Sequence, residues 1–359
     1  MIHSLRWGAL IYGKEPHHLD HLGPLCAFLS MPLIVTEEEI ASSAKIFYPS
    51  VECILASYLT APEFIVSHFD TIFYCTPRDL FDEVFFFAQE LLQKRVRTIW
   101  CPHGNSDKGR SIYFMEGLHK ERAALVYGKQ MIDFLKLKKV FDQLEAHAII
   151  GNYRYAFYLQ HKSFYDQLVE EHVLRHLPPA RRTILYAPTW QDYERSASFF
   201  QALPHLATPP PDVRLLIKLH PNTLEQKDPM IEALLEKLVL HPRIHILLNF
   251  PPVYPLLNVA DIYIGDMSSI GYDFLTFDRP LFFLNPNERD AKSDPGLYLF
   301  RCGREIRKEE YARIYEIIDD YFHFEVHPFS QIRKEVYAYA FGHDVSLEEL
   351  KKRAIRCAQ

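Results

Sequence analysis

Four polar residues crowd the stretch after the apolar run Ile262–Gly265: Asp266, Ser268, Ser269 and, about one helical turn later, Asp273. The run reads as a buried strand ending at Gly265, with a helix beginning near Ser268 or Ser269. Hydroxyls and free N–H groups at a helix start on the carboxyl edge of a sheet can bind phosphate. Asp273 could then accept hydrogen bonds from ribose hydroxyls. The simpler reading is a well-capped helix. Two histidines also stand at predicted strand ends. His103, in Pro102-His103-Gly104, could act as a general base near neutral pH. His220 closes the run Val213–Leu219, and Pro221 stops the strand and helps aim the ring. Their simpler readings are a histidine that fastens its loop and an ordinary strand-end turn.

A third group begins the first predicted helix: His17-His18-Leu19-Asp20-His21. His17 and His21 have i, i+4 spacing, but no companion Cys, Asp or Glu set has familiar metal-site spacing, so no metal is expected. His18, Asp20 and His21 could instead form a polar mouth for an acceptor hydroxyl or phosphate. The alternative is a polar helix start. Gly104-Asn-Ser-Asp-Lys-Gly109-Arg110-Ser111 resembles a P-loop but has Arg110 in place of the phosphate-reaching lysine, which disfavours an ATPase. Ser269 precedes Gly271 by two residues, but Met267 occupies the first glycine position of a hydrolase nucleophile elbow. No G-x-G-x-x-G occurs, so no dinucleotide cofactor is expected.

Short apolar runs must position these residues. Trp7–Tyr12, Leu33–Thr36, Thr71–Cys75, Thr98–Cys101 and Ala148–Gly151 read as strands, with helices over Leu19–Leu29 and Leu80–Gln93. Continuous apolar strands alternating with amphipathic helices predict an α/β, doubly wound parallel sheet. The Pro-rich, charged stretch Leu177–Arg182 reads as a linker. The pattern then restarts with strands at Thr183–Ala187, Val213–Leu219, Ile244–Leu248, Ile262–Gly265 and Leu281–Leu284, and helices at Met230–Leu240, Lys308–Phe324 and Ser346–Cys357. The predicted division is residues 1–176, 177–330 and a helical tail, 331–359, that packs back. Two such domains facing each other would set a ligand cleft at the carboxyl ends of their strands.

Composition narrows the classes. The 359 residues suffice for two cores, and 48% hydrophobic with 24% charged residues excludes extensive disorder. Forty basic against forty-six acidic residues, a formal charge of −6, argues against nucleic acid as a partner. No run approaches the roughly 20 apolar residues of a membrane span, and no convincing signal peptide is present. Cys26, Cys53, Cys75, Cys101, Cys302 and Cys357 form no compact framework, which suits reduced thiols in the cytoplasm. Peripheral contact with the inner face of a membrane stays compatible with this pattern.

An ordered set of segments resembles one known family. Ala187-Pro-Thr189-Trp190-Gln-Asp192, Lys218-Leu-His220-Pro221, Ala260-Asp261 through Asp266-Met-Ser268-Ser269 to Asp273, and Arg279-Pro-Leu281 are similar to the CDP-glycerol glycerophosphotransferases, the teichoic-acid primases and polymerases. His103-Gly104 resembles that family's His-Gly, and Gly151-Asn-Tyr153-Arg154 stands where it has Gly-x-Pro-Arg. The resemblance spans mainly residues 183–300. It implies a GT-B fold of two Rossmann-like domains, the first for the acceptor and the second for the nucleotide donor. It implies a transferase that moves a polyol phosphate from a CDP-linked donor to an acceptor hydroxyl, which a membrane could carry, with release of CMP. His103 would be the base, His220, Ser268, Ser269 and Thr189 would border the donor phosphates, and Asp273 would lie near the ribose. Two alternatives remain at this point: a GT-B enzyme acting on a UDP- or CMP-linked sugar, and a non-catalytic nucleotide-binding protein on the same fold.

Overall fold

The computed structural model describes residues 6–76, 79–108, 116–191, 196–225, 228–323 and 328–358. The chain forms two compact units. The first comprises residues 1–105, 111–157 and 338–359; the second comprises 106–110 and 158–337.

The first unit is built on a seven-stranded sheet. Its strands are β1 (Trp7–Ile11), β2 (Leu33–Val35), β3 (Cys53–Leu55), β4 (Thr71–Tyr74), β5 (Arg97–Trp100), β6 (Ala123–Val126) and β7 (Ala146–Ile149), in the order β3-β2-β1-β4-β5-β6-β7. All neighbours pair parallel, with Ala9 opposite Leu33 on one side and Phe73 on the other. Parallel strands need crossovers, and helices such as Leu19–Leu29, Glu38–Phe47, Ala61–His68 and Asp79–Leu92 supply them. Both faces are therefore covered, which is why β1, β2, β4 and β6 are apolar without alternation. The C-terminal helix Leu347–Ala358 belongs to this unit: Arg353 Nη1 donates to the Ile149 carbonyl at 2.8 Å and Arg97 Nη2 to the Cys357 carbonyl at 3.4 Å.

The second unit repeats the plan with six strands: β8 (Arg182–Ala187), β9 (Val213–Lys218), β10 (Ile244–Leu247), β11 (Ile262–Gly265), β12 (Leu281–Leu284) and β13 (Arg304–Ile306). Their order is β10-β9-β8-β11-β12-β13, again all parallel. Ile184, Leu215, Ile217, Ile264, Phe282 and Leu284 project from the strands into a core shared with helices Phe199–Leu206 and Ile314–Tyr321. In each sheet the strand order reverses at one point, between β1 and β4 and between β8 and β11. Doubly wound sheets bind ligands outside the carboxyl ends of the strands at such a reversal.

Three strands escape the apolar-run reading. β3 is a half-exposed edge, β6 is Ala-Ala-Leu-Val with a single β-branched residue, and β13 is Arg-Glu-Ile. The predicted strand at Ala148–Gly151 starts two residues earlier, at Ala146, because register with β6 pairs Ala123 with Ala146. The predicted Lys308–Phe324 helix divides into a 3-10 segment Lys308–Arg313 and an α-helix Ile314–Tyr321. Phe324 lies outside the described residues. All six cysteines are free.

Candidate functional site

In the first unit the chain leaves β5 through Cys101 and Pro102 and presents His103. Its Nδ1 lies 3.2 Å from the carbonyl of Cys75, the residue after β4. A carbonyl can only accept, so Nδ1 carries the proton and the neutral ring keeps its lone pair on Nε2. Burial pushes the His103 pKa down to about 4, against the hydrogen bond to Cys75. The ring is therefore neutral at pH 7. Three more imidazoles stand close by: the centroids of His18, His17 and His21 lie 5.4, 6.3 and 6.5 Å from that of His103.

The predicted acceptor-side residues divide between two settings. His18 is buried beside His103. His21 is buried, with Nδ1 2.8 Å from the Tyr127 hydroxyl, and its pKa is held well below the usual value by burial, then by the charge of Arg154 and the neighbouring imidazoles. Asp20 accepts from Arg154 Nη1 at 2.6 Å and from the Tyr48 hydroxyl at 3.4 Å. The Arg154 side chain is 2% exposed and that of Asp20 9%. The charge-assisted bond from Arg154 Nη1 and the second bond from Tyr48 offset part of the desolvation of the carboxylate, so this pair fastens the start of the first helix to the start of helix Tyr153–Gln160. Tyr153 supports the same joint by donating to the His21 carbonyl at 2.9 Å.

The second unit gathers its polar groups where β8 and β11 adjoin. Asp266 is buried at the end of β11; it accepts from the Thr189 amide at 2.8 Å and from the Ser198 amide and hydroxyl, each at 2.8 Å. Gly265 leaves room for the Tyr263 hydroxyl, which a Cβ there would strike and which donates to the Ala187 carbonyl at 3.4 Å. Burial raises the Asp266 carboxyl to about 6, with the donors from Ser198 and Thr189 and the charge of Lys108 opposing the rise. Asp266 thus ties the loop after β8 to the start of helix Phe199–Leu206. Of the cap candidates in the sequence, Asp266 and the two serines, Ser269 is the N-cap, and its side chain makes no capping bond. The helix it opens, Ile270–Phe274, has only five residues before a 3-10 turn. So short a helix carries little macrodipole, and the polar groups that Ser268 and Ser269 offer are local hydroxyls and amides. Ser268 is 9% exposed, and Asp273 is buried with Oδ1 accepting from the Tyr254 hydroxyl at 3.2 Å.

His220 follows β9, and its Nδ1 accepts from the Asn222 amide at 3.2 Å. The proton of the neutral ring is therefore on Nε2, a donor. The Trp190 ring lies 6.2 Å from the His220 ring, and Lys108 Nζ lies 5.6 Å from the Trp190 centroid. Lys108 groups with this unit because Asp107 is anchored there: it accepts from the Tyr272 hydroxyl at 2.7 Å and the Leu299 amide at 2.9 Å. Thr189, His220 and Ser268–Ser269 thus follow three adjacent strands, β8, β9 and β11. The buried Thr189 has already committed its amide to Asp266. Asp107 and Lys108 escaped the sequence reading; their signal was the loop after His103, weighed only as a P-loop. Gly109, Arg110 and Ser111 of that stretch, and Asp192, lie outside the described residues.

The arrangement can accept a proton in one unit and donate hydrogen bonds to an anion in the other. A family model described as CDP-glycerol:poly(glycerophosphate) glycerophosphotransferase matches residues 110–306. Among solved structures, the chain is similar to the wall teichoic acid polymerase TagF, at TM-score 0.66 and 15% identity over 98% of this chain and 87% of that one. It is similar to Staphylococcus aureus MnaA, solved with UDP, at TM-score 0.62 and 13% identity over 98% and 95% of the two chains. It is also similar to Anabaena HepE, solved with UDP and glucose, at TM-score 0.59 and 9% identity over 98% of each. These likenesses show the GT-B fold. No curated protein matches the chain by sequence.

Proposed function

The chain belongs to the CDP-glycerol:poly(glycerophosphate) glycerophosphotransferase family, and we propose that its two strand-end histidines divide the labour of the transfer. It is a transferase that uses a nucleotide-activated donor. In the proposed reaction the acceptor hydroxyl attacks the glycerol-bearing phosphorus of CDP-glycerol. A new O–P bond forms, the P–O bond to the CMP phosphate breaks, and CMP leaves with that electron pair. The hydroxyl proton passes to Nε2 of His103.

The observation that carries this reading is the hydrogen bond of His103 Nδ1 to the Cys75 carbonyl, which commits the neutral ring to holding its lone pair on Nε2. On the donor side, His220 Nε2–H, the hydroxyls of Ser268 and Ser269 and the ammonium of Lys108 offset charge that gathers on the diphosphate. Thr189 serves through its loop, which Asp266 fixes. Asp273, whose Oδ1 is held by Tyr254, stands near the ribose in this reading.

The finer partners belong to the same proposal: a hydroxyl acceptor carried by a membrane, approached from its cytoplasmic face. No helix among the described residues is long and apolar enough to cross a membrane. Support for a peripheral approach comes from helix Asp79–Leu92, which leaves Phe86, Phe87 and Leu91 exposed. The test is CMP release from CDP-glycerol in the presence of a glycerophosphate-primed acceptor. Native protein should release CMP only with acceptor, and His103→Ala should reduce the rate by a factor on the order of a hundred or more. Equal rates from the two proteins would remove His103 from the chemistry.

A further inference from the structure

Three ligand-bearing side chains lie together in the turn after β1 and have no part in the transfer described above. Glu15, His17 and His18 each bring one potential ligand atom, and these atoms all lie within 4.8 Å of one another. His17 Nδ1 and Glu15 Oε2 are 3.4 Å apart. Two ligands of a tetrahedral zinc ion with bonds of about 2.05 Å are separated by about 3.3 Å, so this edge already has the span of an occupied site.

The backbone of the turn is fixed without an ion. Gly13 takes φ +81°, a left-handed conformation suited to glycine, and its amide donates to Thr36 Oγ1 at 2.8 Å. The Glu15 amide donates to the Gly13 carbonyl at 3.1 Å and the His18 amide to the Glu15 carbonyl at 3.0 Å. Pro16 opens the 3-10 turn that carries both histidines. Little main-chain entropy remains to be lost when an ion binds.

We propose that Glu15, His17 and His18 form a binding site for a borderline divalent transition cation, of which Zn²⁺ is the representative. Two imidazoles and one carboxylate match zinc and exclude Mg²⁺ and Ca²⁺, which prefer all-oxygen sets. Three protein ligands leave a fourth position for water or an exogenous ligand. His18 lies beside His103, but the inference does not rest on the reaction proposed above and is tested by binding alone.

The experiment titrates the full chain with Zn²⁺ against a chromophoric chelator, in parallel with Glu15→Gln, His17→Ala and the double variant Glu15→Gln/His17→Ala. Both positions are partly exposed, so these substitutions spare the core, and circular dichroism reports whether each variant is folded. Native protein should bind one Zn²⁺ per chain, and each single variant should weaken that binding at least tenfold. One equivalent of Zn²⁺ should raise the Tm of the native chain and not of the double variant. Equal stoichiometry and affinity in the double variant would assign the metal to other histidines and overturn the proposal. So would Mg²⁺ competing with Zn²⁺ at equal concentration, or no native binding tighter than that of the double variant.

Discussion

His103 and His220 both stand beyond strand ends, but on opposite sides of the strand-order reversal in their sheets, β5 next to β4 and β9 next to β8. Each stands just beyond a parallel strand, β5 or β9, at the carboxyl edge of its sheet. Their backbone partners are opposite. His103 Nδ1 faces a carbonyl, whereas His220 Nδ1 faces an amide N–H. The first ring therefore shows a lone pair at Nε2 and the second shows a proton there. Residue type and a strand-end setting are shared; the neighbouring peptide group decides whether the imidazole takes a proton or donates a hydrogen bond. The surroundings reinforce the difference, with a cluster of imidazoles beside His103 and the Trp190 face beside His220.

The strongest way to break this contrast is a pair of amide substitutions. His103→Asn retains a group able to donate to Cys75 and removes the base, so kcat should fall by about 10²–10⁴ while KM for CDP-glycerol changes little. His103→Gln should recover none of that loss, since no amide accepts the proton at neutral pH. His220→Ala should lower kcat/KM by about a hundredfold, and His220→Gln should regain part of it because its Nε2 amide still donates. Rescue by glutamine at 103 but not at 220 would reverse the assignments. A smaller effect is expected at Lys108. Removing its charge in Lys108→Gln should raise KM for the donor by about tenfold, measured by the same CMP assay, and leave kcat nearly unchanged.

The sequence pattern reached the architecture because both sheets are covered on both faces, so strands such as Leu281–Leu284 and Ile262–Gly265 are unbroken apolar runs whose observed limits match the reading. It failed where burial does not demand such residues, as in the Arg-Glu-Ile strand β13. The site was legible as residue types at strand ends: His103, His220 and Ser268 all stand there. Their hydrogen-bonding roles were not, because they depend on partners distant in sequence, such as Cys75 for His103 and Asp266 for Thr189. Asp20 illustrates the same limit. Nothing local announces that a helix-start aspartate will be buried against Arg154, 134 residues away. The Glu15–His17–His18 group was missed because attention to the i, i+4 pair of His17 and His21 passes over a turn that folds near neighbours together.

The smallest effect separates the two units by the sign of a pH dependence. Burial holds His103 at about 4, below its ordinary 6.5, so its contribution to stability is complete above about pH 6.5 and is lost as pH falls toward 4. Burial raises Asp266 from 3.8 to about 6, so its contribution is complete below about pH 3.8 and is lost as pH rises through 6. Between pH 4 and 6 the two slopes oppose. Each is at most about 1.4 kcal/mol per pH unit. Urea unfolding at several pH values checks this by difference, since other titrating groups cancel between a variant and the native chain. Native stability relative to His103→Asn should climb from pH 4 to 6.5, and relative to Asp266→Asn it should decline from pH 4 to 6. Two differences of the same sign would mean that one of these groups does not keep its neutral form in the folded chain, and the contrast between base and scaffold would lose its electrostatic basis.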